Sequence, residues 1–339
     1  PGMEEGVDIK VEVKVDTESA MIEVDLRDNP DCLPCGLNLS QACAETSALL
    51  GVFNSVPADV PTNQGSFRRV DIKLRENCVV GIPKHPTSCS VVITNIADRV
   101  GNATQRAIAE LGDGYGMAAA AAIIPPSIGV ISGSSEMTGG PYVNQIFLGW
   151  GGGAAAPHND AWLTLGHIGN AGLSYLDSIE LDEMRFPMLV KGRHFVTDSG
   201  GAGRTRGGAG VFCEFGPTDG EMEVGYVSDG NETPAEGVRG GGPGGCANQF
   251  RRDPNGDLHP LESCEQAIIP QGHTIVSYSC GGGGYGDPNE RDVNLVVDDL
   301  NDRWISEQTV TDVYGVILND DGSVDINATD KVRQHNLKK

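Results

Sequence analysis

Glycine gathered in dense bursts is the feature that most limits how this chain can fold. Runs at 149–153, 200–210, 237–245 and 281–286 carry much of a total of 47 glycines in 339 residues. That is about double the ~7% of ordinary proteins. No triplet period accompanies them, which removes a collagen-like helix. A residue without a Cβ permits tight turns and close backbone approaches. The runs are therefore expected to be long loops, and Gly281–Pro288 is expected to need special backbone angles. Short apolar stretches lie between them, and Met222–Val227, Ala267–Ile269, Thr274–Tyr278 and Leu295–Val297 read as strands.

Ahead of residue 148 the pattern is different. Val7–Val15 alternates apolar and charged residues, Asp16–Ser19 supplies a turn, and Ala20–Leu26 alternates again, which predicts a hairpin. Leu39, Ala42, Cys43, Thr46, Leu49, Leu50 and Phe53 recur at three and four residues, predicting a helix from about Asn38 to Phe53. Asn38 is its expected cap, with Gln41 as the reciprocal partner. A strand is expected over Arg69–Arg75. A second helix is expected over Ser88–Leu111, with Val92, Ile96, Val100, Ala103, Ala107 and Leu111 on one side and Gly112 as its stop. Gly101 inside it argues against that helix. Toward the end, Trp304–Tyr314 reads as a helix and Val316–Ile326 as a hairpin turning at Asp320-Asp321-Gly322. Together these predict an α+β fold. It has several mostly antiparallel sheets, a few packed helices and long glycine-rich loops, divided into a mixed region 1–147 and a β-dominated region 148–339. The opening hairpin looks incomplete alone, as one piece of a larger subunit does.

Composition narrows the partners. With 47 acidic against 24 basic residues the net charge is −23, which repels nucleic-acid phosphates and anionic membranes. No apolar run reaches the 18 residues of a membrane span, and Pro1–Gly6 shows no signal-peptide pattern. Nine scattered cysteines follow no disulfide framework. A reduced, cytoplasmic protein is expected. Cys32-Leu33-Pro34-Cys35 lacks the second ligand pair that zinc requires and a clear βαβ context for redox work, so these thiols are expected to be structural.

No Walker-type loop, HExxH, GxSxG or paired-carboxylate motif is present. Asp198-Ser199-Gly200-Gly201-Ala202-Gly203-Arg204-Thr205-Arg206 sets two guanidinium groups in a glycine loop, suited to a carboxylate or phosphate. An ion pair from Asp198 to Arg204 or Arg206 that merely braces the loop explains the same residues. His158, Asp160 and His167 flank the first burst and could serve as base and orienter. Asn95, Asp98, Arg99 and Asn102 put polar groups along a helix, lining either a site or a solvated face.

Taken in order, Pro61–Arg69, Thr87–Ser90, Asn95–Arg99, Gly166–Ala171, Asp198–Gly208, Gly281–Pro288 and Tyr314–Val316 resemble the hydantoinase B/oxoprolinase family over almost the whole chain. The resemblance implies a subunit of an ATP-dependent amidohydrolase that opens a cyclic amide after phosphorylation. ATP would sit on a larger hydantoinase A-type partner. A sister branch carboxylates acetone or acetophenone, and a non-catalytic assembly subunit is the third possibility. The expected catalytic residues are His158, Asp160, His167 and Asp198, and the expected substrate-binding residues are Asn95, Arg99, Arg204 and Arg206. The family's B subunit is longer, with an N-terminal region rich in His and Asp that has no counterpart before Val7. A divalent metal, if used, is therefore expected outside this chain, either on a separate chain carrying the N-terminal half or on a missing part of the same product.

Overall fold

A computed structural model describes residues 6–57, 59–90, 93–121, 124–165, 167–168 and 175–337. Several residues named above lie outside that set: Pro1–Glu5, Val92, Gly166, Gly169, Asn170 and Ala171. The chain forms two compact units. The first runs to Ala119 and takes in His167 and Ile168, and the second holds the remainder. The division thus falls earlier than the glycine content suggests, because strands ahead of residue 148 pair with strands far beyond it.

In the first unit, β1 (Glu12–Asp16) and β2 (Met21–Asp25) form the expected hairpin, and β3 (Val70–Lys73) adds parallel to β2. The Asp16 carboxylate accepts from the Glu18 and Ser19 amides and the Ser19 hydroxyl, which shapes the turn. Helix α1 spans Gln41–Phe53, α2 Gln64–Phe67 and α3 Ile93–Ala109. The cap of α1 is Ser40, whose hydroxyl accepts from the Cys43 amide. Asn38 is fully buried instead, bonding the Leu33 amide and the Leu33, Cys35 and Ser88 carbonyls. Gln41 turns away from the cap to donate to Glu45. Val24, Leu26, Leu39, Ala44, Ala48, Val52, Ile96, Val100 and Ile108 share the core. Gly101 sits inside α3 for a packing reason: a Cβ there would come within 1.9 Å of Ile168 Cδ1. The facing Gly51 of α1 is similarly tight, 2.5 Å from Thr104 Cβ. Close helix approach outweighs the intrinsic helix penalty of glycine.

The second unit holds two antiparallel sheets. One has the order β11 (Cys264–Pro270), β8 (Glu221–Val227), β4 (Val130–Ser135) and β5 (Gly140–Gln145). The other runs β10 (Leu258–Pro260), β9 (Asn248–Arg252), β12 (Thr274–Tyr278), β7 (Val211–Pro217) and β6 (Met188–Phe195). Alternate residues from both sheets meet in one cluster, with Ile131, Met222, Val224 and Ile269 from the first and Met188, Phe215 and Ile275 from the second. This is sandwich packing. Helices α4 (Ile179–Arg185), α5 (Val293–Asn301), α6 (Glu307–Asp312) and α7 (Ile326–Asn336) complete the unit. The expected α+β class with mostly antiparallel sheets is what forms.

Two local expectations fail. Leu295–Val297 lies within α5, not a strand, because Val293, Val296 and Leu300 pack on one side and Asp292 caps the start. Val316–Ile326 makes only an isolated bridge, Leu318 to Val324, before α7 begins at Ile326 under an Asp325 cap.

The glycine bursts converge on one another. Gly208 N–H donates to Gly153 O (3.0 Å), Gly282 to Gly208 (2.9 Å), Gly201 to Gly282 (2.8 Å), Gly281 to Gly245 (3.0 Å) and Gly284 to Gly242 (2.9 Å). A Cβ on Gly282 would stand 1.7 Å from Gly153 O, and one on Gly281 1.6 Å from Ser199 O. Among the glycines of the bursts only Gly240 and Gly286 have positive φ. Space between backbones, not left-handed geometry, is what selects glycine here, and the special angles expected of Gly281–Pro288 are needed only at Gly286. Gly282→Ala is therefore expected to cost about 3 kcal/mol or more, since backbone cannot yield as a side chain does. Gly225→Ala is the control, because its Cβ would meet nothing nearer than 3.8 Å. Equal losses for the two in denaturant titration would refute the packing account.

Candidate functional site

Helix α3 is buried on two faces. Ile96, Val100 and Ile108 face the apolar core of the first unit. Asn95, Asp98, Asn102 and Gln105, spaced three, four and three apart, make a second stripe on the helix. These four are 5%, 5%, 4% and 1% exposed, so the stripe is not a solvated face. Gln105 Nε2 donates to Asn102 Oδ1 (3.2 Å) and to Ala118 O, which fixes both amides. Gln105 Oε1 is buried with no hydrogen-bond partner among the described residues. Arg99, one residue round the helix from Asp98, is half-buried.

His167 lies over this stripe. Its Nδ1 is 3.5 Å from the Asp98 carboxylate, and its side chain remains 41% exposed against 8% for Asp98. Two contacts hold the chain there: Asn54 Nδ2 donates to Ile168 O (3.4 Å), and Ile168 fills the space that Gly101 leaves open. Hydrogen bonding to Asp98 raises the imidazole pKa above its usual value, burial opposes this, and the Asp98 charge adds to the rise. A partly exposed imidazole, its protonated form favoured by a buried carboxylate, beside fixed amides can bind a small polar molecule and hand it a proton.

A different constellation occupies the second unit. Arg291, whose side chain is 1% exposed, is bidentate to Asp160 (2.7 Å twice) and reaches Asp299 at 2.8 Å. Arg206 approaches Asp299 through Nε (3.2 Å) and Nη2 (3.1 Å), gives its amide N–H to Asp160 (2.6 Å), and lies 5.6 Å from the Trp304 ring centroid. Two arginines thus face two aspartates. Burial pushes the Asp160 carboxyl up, but hydrogen bonds and charge from Arg291, with the Arg206 amide, bring it below the usual range. Burial likewise holds the adjacent Tyr314 hydroxyl at about 12.

The structure therefore brings Asp160 and Arg206 together through the Arg206 backbone N–H, with the Asp160 charge met by Arg291 and the Arg206 charge by Asp299. Arg204 is at the rim, 3.5 Å from Glu290, donating to Pro157 O and lying 5.8 Å from the Tyr285 ring. Asp198, at φ +62°, accepts from the Ser306 amide (2.8 Å), bracing the loop against the start of α6 and not against either arginine. His158 is exposed. Arg291 and Asp299 escaped sequence reading. The first carries no motif, and the second lies just past the segment mistaken for a strand. Among the described residues, no group of three or more His, Cys, Asp or Glu side chains is arranged to hold a metal ion. No helix among them is long and apolar enough to cross a membrane.

One further acid is out of balance. Asp182 of α4 is 6% exposed, its Oδ2 has no hydrogen-bond partner among the described residues, and burial followed by the Asp177 charge raises it to about 6. An acid whose folded pKa lies above its unfolded value loses stability as pH rises from about 4 through 6. Asp182→Asn should therefore stabilise by about 1–3 kcal/mol at pH 8 and by little at pH 4. A gain that is the same at both pH values in urea titration would contradict this.

The fold is shared with known proteins. The chain belongs to the hydantoinase B/oxoprolinase family, whose model matches residues 2–288. It is 26% identical over 331 residues to the caprolactamase subunit beta of Pseudomonas jessenii, covering 94% of this chain and 55% of that protein. It is 23% identical over 376 residues to the acetophenone carboxylase delta subunit of Aromatoleum aromaticum, covering 93% and 51%. The crystal structure of ATP-dependent caprolactamase from Pseudomonas jessenii shares the fold, with a TM-score of 0.79 at 22% identity over 96% of this chain and 56% of that one. The chain spans about half the length of the curated relatives it matches.

Proposed function

We propose that this chain is a subunit of an ATP-dependent amidohydrolase that opens a cyclic amide. Phosphorylation of the amide falls to a hydantoinase A-type partner that binds ATP. The observation that carries the reading is the His167–Asp98 pair over the buried amide stripe of α3. In this scheme Asn95 and Asn102 bind the polar edge of the lactam, and Arg99 attracts its phosphorylated form. Water adds to the activated carbon. His167, whose pKa Asp98 raises, gives its proton to the ring nitrogen as the carbon–nitrogen bond breaks. The phosphoryl group leaves as phosphate to a second water, yielding the open amino acid. Pairing of Asp160 with Arg291 and of Arg206 with Asp299 supports a bracing role for those two residues beside the glycine layer. Arg204, half-buried at the rim, is held there by Glu290 and the Pro157 carbonyl, next in sequence to the exposed His158. The resemblance to a caprolactamase subunit supports hydrolysis of a lactam.

Similarity to an acetophenone carboxylase subunit favours a second reading, in which the same plan carboxylates a ketone. The deciding experiment uses the reconstituted complex with its ATP-binding partner. It is supplied with ATP and either a lactam or a ketone plus bicarbonate. Ring opening with ADP release supports the hydrolase, and bicarbonate-dependent ketone loss with inert lactams replaces it with the carboxylase. Full activity when this chain is omitted removes both and leaves an assembly role.

A further inference from the structure

Strand β1 is one edge of the three-stranded sheet, and its pairing leaves alternate backbone groups unused. Beside it, the Ile22 and Leu26 amides donate to Arg69 O (2.8 Å) and Lys73 O (3.0 Å), so the even-numbered residues of β2 face β3. Odd-numbered Met21, Glu23 and Asp25 therefore face β1, opposite Asp16, Lys14 and Glu12. Lys10 turns its backbone to the same side, its N–H donating to Asn29 Oδ1 and its carbonyl accepting from Asn29 Nδ2, both at 2.8 Å. The N–H and C=O groups of Val7, Ile9, Val11, Val13 and Val15 consequently point out along the open edge. No other backbone group among the described residues bonds to them.

Side chains alternate with the same period. Val7, Ile9, Val11 and Val13 pack, half-buried, against the core of the first unit, while Val15 is 44% exposed. On the solvent face Asp8, Lys10, Glu12, Lys14 and Asp16 alternate in sign. Natural edges are commonly blunted by a proline, a bulge or an inward-pointing charge. Residues 7–16 contain no proline, the β1–β2 register has no shift, and every inward position is apolar. Three acids against two lysines give this segment a charge of −1, whereas the whole chain carries −23 and repels another acidic copy elsewhere.

We propose that two copies of this chain associate edge to edge through β1, pairing antiparallel about a two-fold axis at Val11. The charge pattern selects that register. With the axis at Val11, Lys10 lies opposite Glu12 of the second copy and Asp8 opposite its Lys14, so every pair joins opposite signs. Val7 meets Val15 and Ile9 meets Val13, and these residues exchange N–H···O bonds with the second copy. An axis at Lys10 or Glu12 would set lysine against lysine and acid against acid. An axis at Ile9 or Val13 restores the signs but shortens the overlap. The two three-stranded sheets become one continuous sheet, and Val15 gains cover from Val7 of the other copy. Lys10 now pairs with Asp28 (3.2 Å) and Lys14 with Glu12 (3.1 Å), but these ion pairs are solvent-exposed and hold little energy against the exchange.

Sedimentation velocity of the full chain over a concentration series tests this, and a monomer–dimer equilibrium is expected. Lys10→Glu with Lys14→Glu makes the solvent face of the strand wholly acidic, and the dissociation constant should rise about tenfold or more. Asp8→Lys with Glu12→Lys makes positions 8–14 basic and should weaken the dimer likewise. Mixing the two double variants places opposite charges at each pair, so a heterodimer should form, which also shows that both are folded. Val11→Pro removes the N–H at the axis and leaves the β2 ladder intact, so it should abolish the dimer. A chain that is monomeric at every concentration, its edge left to some other partner, overturns the proposal. So does a dimer that Lys10→Glu with Lys14→Glu leaves intact, or double variants that stay apart on mixing.

Discussion

Arg291→Ala is expected to destabilise the second unit by about 3–5 kcal/mol, the usual cost of deleting one partner from a buried ion pair. The guanidinium is almost wholly enclosed and serves Asp160, Asp299 and the Arg204 carbonyl at once. Removing it leaves two aspartates to one arginine, and Arg206 holds Asp299 but offers Asp160 only a backbone N–H. The pH dependence has a defined sign. In the native protein Asp160 is depressed, so its contribution is full above the unfolded carboxylate pKa and fades as pH falls through the folded value. In Arg291→Ala the carboxylate is unpaired, so the deficit against the native protein should be largest near pH 7 and shrink toward pH 4. Adding Asp160→Asn to Arg291→Ala should recover part of the loss. Urea titrations of the three variants decide it, and a loss below ~1 kcal/mol for Arg291→Ala would show that the network adds little.

The largest functional effect is expected at His167. Removing a general acid typically lowers turnover 10²-fold or more, so His167→Ala in the reconstituted complex should lose at least that much ring opening. Asp98→Asn should keep the imidazole but withdraw its support. Because Asp98 raises the His167 pKa, the acid form persists to higher pH, and the alkaline limb of the native rate profile should lie above the ~6.5 of a free histidine. In Asp98→Asn that limb should move down toward ~6.5. The stability part runs in the same direction: the pair's contribution is complete below ~6.5 and is lost as pH rises through the folded value. Gly101→Ala provides an independent check, since it displaces Ile168 and with it the neighbouring His167. Turnover should fall in that variant with the first unit still folded. An alkaline limb that does not respond to Asp98→Asn would end the assignment.

Local patterns explain which elements were legible in advance. The β1–β2 hairpin, α1, α3 and β8 follow periods of two or of three to four, β12 is a short apolar run, and all form close to the expected places. The cap of α1 was not legible. Asn38 and Ser40 are both good capping residues, and only the carbonyls of Leu33, Cys35 and Ser88, gathered by the fold, draw Asn38 inward. Strand β7 was missed because burial on the sheet flattens its alternation: six of the seven residues of Val211–Pro217 are buried.

Sequence alone determined the mixed fold class, the antiparallel habit, the acidic surface and the family resemblance, because composition and periodicity are local properties that survive without tertiary contacts. It also marked Asn95, Asp98, Arg99 and Asn102 as polar positions on one helix. Tertiary structure decided the rest. The bursts could have enclosed a ligand or a partner, yet their missing Cβ atoms make room for one another's carbonyl oxygens. Arg206 was free to face solvent until Asp299, 93 residues away, met it in the interior. His167 and Asp98 come within 3.5 Å of one another because glycine at 101 lets Ile168 settle against α3. Charge pairing and close backbone approach depend on distances between residues remote in sequence, and folding alone sets those distances.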